Sequence, residues 1–95
     1  MDHTKLANLN KAVALLQAGD WQGAHAIVQE EEDSPLASWA HGIVHVLEGD
    51  QQNARYWYRR AKRTFPEPFS RETELQALAT AVRKASLDKK RAYPR

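Results

Sequence analysis

Apolar residues recur along this chain at alternating three- and four-residue steps, the spacing that puts them on one face of an α-helix. The first segment shows the pattern in Leu6, Leu9, Val13 and Leu16. Comparable segments follow, bounded by Gly, Asp or Pro. The pattern therefore predicts an all-α fold, with helices at residues 4–18, 21–31, 35–48, 51–64 and 71–86.

Two Gly-Asp pairs mark the predicted turns within this helical pattern. Gly19 and Gly49 are stop signals for the helices before them. Asp20 and Asp50 are expected to cap the helices that follow, because a carboxylate accepts hydrogen bonds from the free N–H groups at a helix start. Residues 30–33 are all acidic, and negative charge opposes the C-terminal pole of the helix dipole. The end of the second helix is therefore expected to fray.

The segment of residues 34–66 places small residues and helix breakers at regular intervals. They are Gly42, the turn at Gly49 and Asp50, Ala54, Tyr58, Ala61 and Pro66. This set resembles the tetratricopeptide repeat, and the segment is also similar to a group of small bacterial proteins of tetratricopeptide-like character. The resemblance implies a five-helix, right-handed solenoid of about two helix-turn-helix repeats and a C-terminal capping helix. Such repeats present surfaces to protein partners and seldom perform chemistry.

Length and composition indicate one small domain. We expect it to occupy residues 1–87 of the 95, followed by a basic flexible tail at residues 88–95. The net charge of +2 is too small to imply a polyanionic partner, and the absence of cysteine excludes disulfides and thiolate metal sites. No signal peptide is visible, and no apolar run approaches the ~20 residues of a spanning helix. We therefore expect a cytoplasmic protein that does not enter a membrane.

One face of the predicted third helix is apolar. It carries Leu36, Trp39, Ile43, Val46 and Leu47. If this face lines an open groove, it needs a cover, which the fifth helix, a second copy of the chain or a partner's amphipathic helix would supply. The alternative is that the stripe is ordinary core. The resulting prediction is a non-catalytic protein-interaction or scaffolding module, binding a protein partner or itself through Leu36, Trp39, Ile43, Val46 and Trp57.

Histidines occupy a second face of the same helix. His41, His45 and Glu48 fall within about 60° of arc at 100° per residue. His25 lies on the second helix, which is expected to pack beside the third and to bring its ring close to them. Imidazoles and a carboxylate in this pattern are ligands for Zn²⁺ or another divalent transition metal. The competing interpretation is a set of buried or solvent-facing histidines, with no cofactor.

Two other function classes are disfavoured by the sequence. The aromatic-basic run at residues 55–63 suggests nucleic-acid binding, but Tyr58 and Ala61 share the packing stripe of an ordinary amphipathic helix. Enzymatic signatures are missing, since there is no Gly-rich phosphate loop and no nucleophile elbow. Ser38 near His41 lacks an orienting acid. The sequence therefore predicts neither nucleic-acid binding nor catalysis.

Overall fold

The computed structural model describes residues 3–31 and 33–91, which form five α-helices and no strand. The helices are α1 (His3–Gln17), α2 (Trp21–Val28), α3 (Pro35–Glu48), α4 (Gln51–Arg60) and α5 (Arg71–Arg91). The predicted all-α class and the number of helices within this part of the chain are confirmed. None of these helices is long and apolar enough to cross a membrane.

The two Gly-Asp turns end their helices in the same way. Gly49 has a left-handed backbone with a φ of +93°, and the N–H of Asp50 donates to the carbonyl of His45 at 2.8 Å. Gly19 repeats this conformation at a φ of +87°. Glycine is needed at both positions because a side chain strains this backbone conformation.

Each aspartate then begins the next helix. The carboxylate of Asp20 accepts a hydrogen bond from the Gly23 N–H at 2.9 Å, and that of Asp50 accepts one from the Asn53 N–H at 3.2 Å. Both satisfy a donor that has no partner inside its helix. The helix stops and caps predicted from the Gly-Asp pairs are confirmed.

Three predicted helix ends are wrong, those of α2, α4 and α5. Helix α2 ends at Val28 instead of residue 31, in keeping with the acidic residues that follow. Helix α4 ends at Arg60 instead of residue 64, because Lys62 adopts a φ of +60° and the Arg63 N–H donates to the Tyr58 carbonyl at 3.0 Å.

Helix α5 continues to Arg91, past the predicted end at residue 86. The four residues of the predicted tail at 88–91 are therefore helical. Lysine and arginine are good helix formers, which suits a continued helix over this part of the sequence. The rest of the predicted tail, residues 92–95, lies outside the described residues.

Consecutive helices pack against one another from α1 to α4, while α1 also touches α3 and α5 packs on both α1 and α3. Helices α3 and α4 approach closely at Gly42, where an added methyl group would lie 2.5 Å from the Tyr58 ring. The largest fully buried side chains come from every helix: Leu9, Leu16, Val28, Ile43, Val44, Tyr58, Leu78 and Val82.

Helix α5 covers the apolar stripe of α3. The Glu74 carboxylate, itself buried, accepts hydrogen bonds from Trp39 Nε1 at 3.1 Å and from the Tyr58 hydroxyl at 2.6 Å through one oxygen, Oε1. Burial, and then the neighbouring Glu74, raises the pKa of Tyr58 well above its usual value, so the hydroxyl keeps its proton. The Arg63 guanidinium lies 3.5 Å above the Trp39 ring.

The predicted contact role of Trp39 and Ile43 is therefore corrected. Trp39 is 2% exposed and Ile43 is fully buried, so both are core residues. Of the covers considered for this stripe, the fifth helix contacts it at Trp39. Leu36 and Val46 are half-buried.

The buried carboxylate makes the first testable prediction. Glu74→Ala leaves the Trp39 and Tyr58 donors buried without an acceptor, so the free energy of unfolding should fall by about 2–5 kcal/mol. Glu74→Gln keeps an acceptor oxygen and should cost less. Chemical denaturation measures both, with Glu72→Ala as an exposed control on the same helix. Equal stabilities of the Glu74→Ala and Glu72→Ala proteins would contradict the prediction.

The left-handed backbone conformation of Lys62 leads to the second testable prediction. Lys62→Gly removes the β-carbon that strains this conformation and should raise the free energy of unfolding by roughly 0.5–1 kcal/mol. Lys62→Ala removes the charge but keeps the β-carbon, and is expected to give no such gain. Thermal and denaturant unfolding of the two variants distinguish backbone strain from charge. A similar gain in both would assign the effect to the lysine charge.

Candidate metal centre

Two helices bring three histidines together. His41 and His45 lie one turn apart on α3, and α2 packs against α3 so that His25 faces them. The His41 and His45 rings stack with centroids 4.9 Å apart, and the His25 ring meets them edge-on at 4.9 Å and 5.5 Å, respectively. One ring nitrogen from each residue lies within 4.8 Å of the others. We call these three residues the imidazole cluster.

The cluster is buried on the α3 side and more open on the α2 side. His41 is 5% exposed and His45 is 6% exposed, whereas His25 is half-buried. The sequence left open whether His41 and His45 are buried or face solvent, and both are buried. The approach of His25 to both is confirmed.

Trp57 of α4 closes one side of the cluster. Its ring stacks on that of His41 with centroids 3.8 Å apart and planes 8° from parallel, and it is 9% exposed. The Arg60 guanidinium lies 5.2 Å from the Trp57 ring centroid. Trp57 was predicted as a partner contact, and this is corrected because its ring packs against a histidine inside the protein.

Glu48 orients His45 and does not belong to the cluster itself. Its Oε1 lies 2.6 Å from His45 Nδ1. A carboxylate oxygen accepts, so Nδ1 carries a proton and, when the ring is neutral, the lone pair lies on Nε2. A carboxylate that fixes the tautomer in this way is the usual outer partner of a metal-bound histidine. The sequence had placed Glu48 among the ligands.

The electrostatics of the cluster favour a neutral His41 ring. Burial, helped by the neighbouring His45 and His25, lowers the pKa of His41 to about 3. His41 Nδ1 is buried and has no hydrogen-bond partner. Buried polar atoms are normally satisfied, and a neutral imidazole is the form that binds metal ions.

A second group of potential ligands lies next to the first. His45, Glu48 and Asp50 offer ligand atoms within 4.8 Å of one another, but both carboxylates are exposed. Asp50 already accepts the capping hydrogen bond from Asn53, and Glu48 already pairs with His45. Exposed acidic residues that serve other roles make this group the weaker candidate.

The aromatic-basic run of α4 divides between core and surface. Trp57 and Tyr58 are buried, while Arg55 pairs with Glu67 at 2.6 Å and its guanidinium lies 4.5 Å from the Phe65 ring centroid. This division is that of an amphipathic helix, as the sequence indicated. Neither the Trp57 ring nor the Tyr58 ring could stack on a nucleic-acid base without leaving the interior.

Comparison with known proteins adds no further candidate. No family model, curated protein or solved structure matches this chain. The functional conclusion therefore depends on the geometry of the imidazole cluster, with Trp57 on one side and Glu48 behind His45.

Burial of neutral His41 makes a prediction about pH. The unfolded ring titrates near 6.5 and the folded one near 3, so between these values the unfolded state binds the extra proton. Stability is full above pH 6.5 and falls below it, by about 2 kcal/mol at pH 5 for this group.

The measurement compares denaturant midpoints of the metal-free wild type and of His41→Leu from pH 7 to pH 5. The variant lacks the titrating ring, so its pH dependence should be flatter by that amount. His25, His45 and Glu48 face His41 or its neighbour and are retained in both proteins. Parallel pH profiles would show that burial of His41 does not couple folding to protons.

Proposed function

We propose that this protein binds a divalent transition-metal ion, such as Zn²⁺, through His25, His41 and His45. The observation that carries the proposal is the convergence of three imidazoles from two helices, with ligand nitrogens within 4.8 Å of one another. Imidazole suits Zn²⁺, Cu²⁺ and Ni²⁺, whereas Mg²⁺ and Ca²⁺ prefer oxygen. The function is binding, without a reaction.

The distances are compatible with a small closure around an ion. With Zn–N bonds of about 2.0–2.1 Å, tetrahedral geometry places ligand nitrogens roughly 3.4 Å apart. The cluster therefore has to contract by at most about 1.5 Å on binding. His25 is the ring with most freedom to move, because it is half-buried on the shortest helix.

The contact between Glu48 and His45 supports the same proposal. The hydrogen bond that Glu48 accepts from Nδ1 of His45 directs the other ring nitrogen to act as the ligand. Outer carboxylates of this kind typically contribute 10- to 100-fold to metal affinity. We assign Glu48 this positioning role.

The protein-interaction or scaffolding function is the second hypothesis. It is weakened, because Trp39 and Ile43 lie in the core and Trp57 packs on His41. Leu36 and Val46 stay at the surface in part, and they are what a partner or a second copy would contact. These two residues offer less apolar surface to a partner than the five predicted contact residues would, so metal binding is the better-supported proposal.

The tetratricopeptide-like arrangement is likewise a proposal. Its support is the packing of consecutive helices from α1 to α4 and the repeated Gly-Asp turns. In this view α5 acts as the capping helix of two short repeats.

A metal titration tests the proposed function. Zn²⁺ should stabilise the folded state by mass action, which amounts to about 2.7 kcal/mol when free Zn²⁺ is 100 times the dissociation constant. Calorimetry should give one site per chain, and Mg²⁺ should have no effect.

Matched variants make the titration specific. His25→Ala removes a ligand from the half-buried side and should abolish the Zn²⁺ effect, while Gln22→Ala, exposed on the same helix, should keep it. Glu48→Gln is expected to weaken binding 10- to 100-fold without eliminating it. If Zn²⁺ stabilises the His25→Ala protein as much as the wild type, the cluster is not the site.

A further inference from the structure

We propose that the ion held by the imidazole cluster keeps one exchangeable coordination position, and that this position takes a small monodentate anion. The inference rests on the proposed metal site and extends it from ion binding to ligand binding. Its basis is the number of donors, the direction of access and the charge around the cluster.

The described residues supply three ligands and no more. Within residues 3–31 and 33–91, no fourth imidazole or carboxylate joins the group formed by His25, His41 and His45. The chain has no cysteine. Glu48 is held by His45 Nδ1, and Asp50 caps α4. Structural zinc sites have four protein ligands, whereas sites with three keep a position for water or another ligand.

Access to that position is from the α2 side. His41 and His45 are almost fully buried, and the Trp57 ring covers one face of His41. His25 is half-buried, so solvent reaches the cluster beside its ring. Because His41 and His45 are almost fully buried, the position favours a ligand of only a few atoms.

Charge selects an anion. Three neutral imidazoles leave both positive charges of the ion uncompensated, and Glu48 offsets part of this charge only from behind His45. A monodentate anion would complete the coordination and neutralise the remaining charge.

The test uses Co²⁺ with the 95-residue protein, because the visible absorption of Co²⁺ reports its coordination number and ligands. Sodium azide is the probe, added to the Co²⁺-loaded wild type in a buffer without chloride or phosphate. We expect tetrahedral Co²⁺ bands that shift to a new spectrum with a saturable, one-to-one dependence on azide. Co²⁺ and azide without protein provide the blank.

The outcomes separate this inference from the metal site itself. If Co²⁺ binds in the cluster and its spectrum is unchanged by azide, the coordination is closed and the inference fails while the metal site stands. If azide removes the protein-bound spectrum and leaves that of free Co²⁺ with azide, the inference also fails. If no protein-bound Co²⁺ or Zn²⁺ is detected, both proposals fail.

A variant identifies the ligands that remain during the exchange. Glu48→Gln keeps the three imidazoles, so its Co²⁺ complex should show the same azide shift after loading at a higher Co²⁺ concentration. Loss of the shift in this variant, with Co²⁺ still bound, would mean that the wild-type shift depends on the Glu48 carboxylate and not on an exchangeable position at the ion. That result would overturn the inference.

Discussion

The buried Glu74 carboxylate is the contact on which the arrangement of the helices depends. It joins α5 to a tryptophan of α3 and a tyrosine of α4, so a single oxygen connects three helices. Burying a carboxylate is costly unless it is well hydrogen-bonded, which allows very few positions for α5 relative to α3. The apolar stripe of α3 can be core only because α5 is held in this place.

Helix α3 is consequently buried on two sides, and the two sides differ in chemistry. Toward α5 it presents Trp39, while toward α2 and α4 it presents His41 and His45. Polar rings at a helix contact are unusual and need compensation. Trp57 compensates by stacking on His41 and Glu48 by accepting a hydrogen bond from His45, whereas Nδ1 of His41 has no partner. This uncompensated nitrogen distinguishes the cluster from an ordinary polar contact.

Local patterns predicted the helices and the three histidines of the imidazole cluster. Gly49 and Asp50 are recognisable because glycine and aspartate suit helix ends for chemical reasons, and His41 and His45 share a face by spacing alone. The end of α4 was missed because Lys62 gives no sign of its left-handed backbone. The stack of Trp57 on His41 and the pairing of Glu74 with Trp39 were also missed, since each depends on how helices distant in sequence rotate against one another.

Packing of α5 against α1 also shapes how the molecule unfolds. In a linear array of repeats, each unit touches only its neighbours and end units can open independently. Here the first and last helices of the described chain are in contact, and α5 also spans to α3. Opening either end therefore disturbs the other, so the chain behaves as a single cooperative unit in spite of its repeated turns. A small protein gains stability from this contact, because a single pair of helices buries too little apolar surface to stay folded alone.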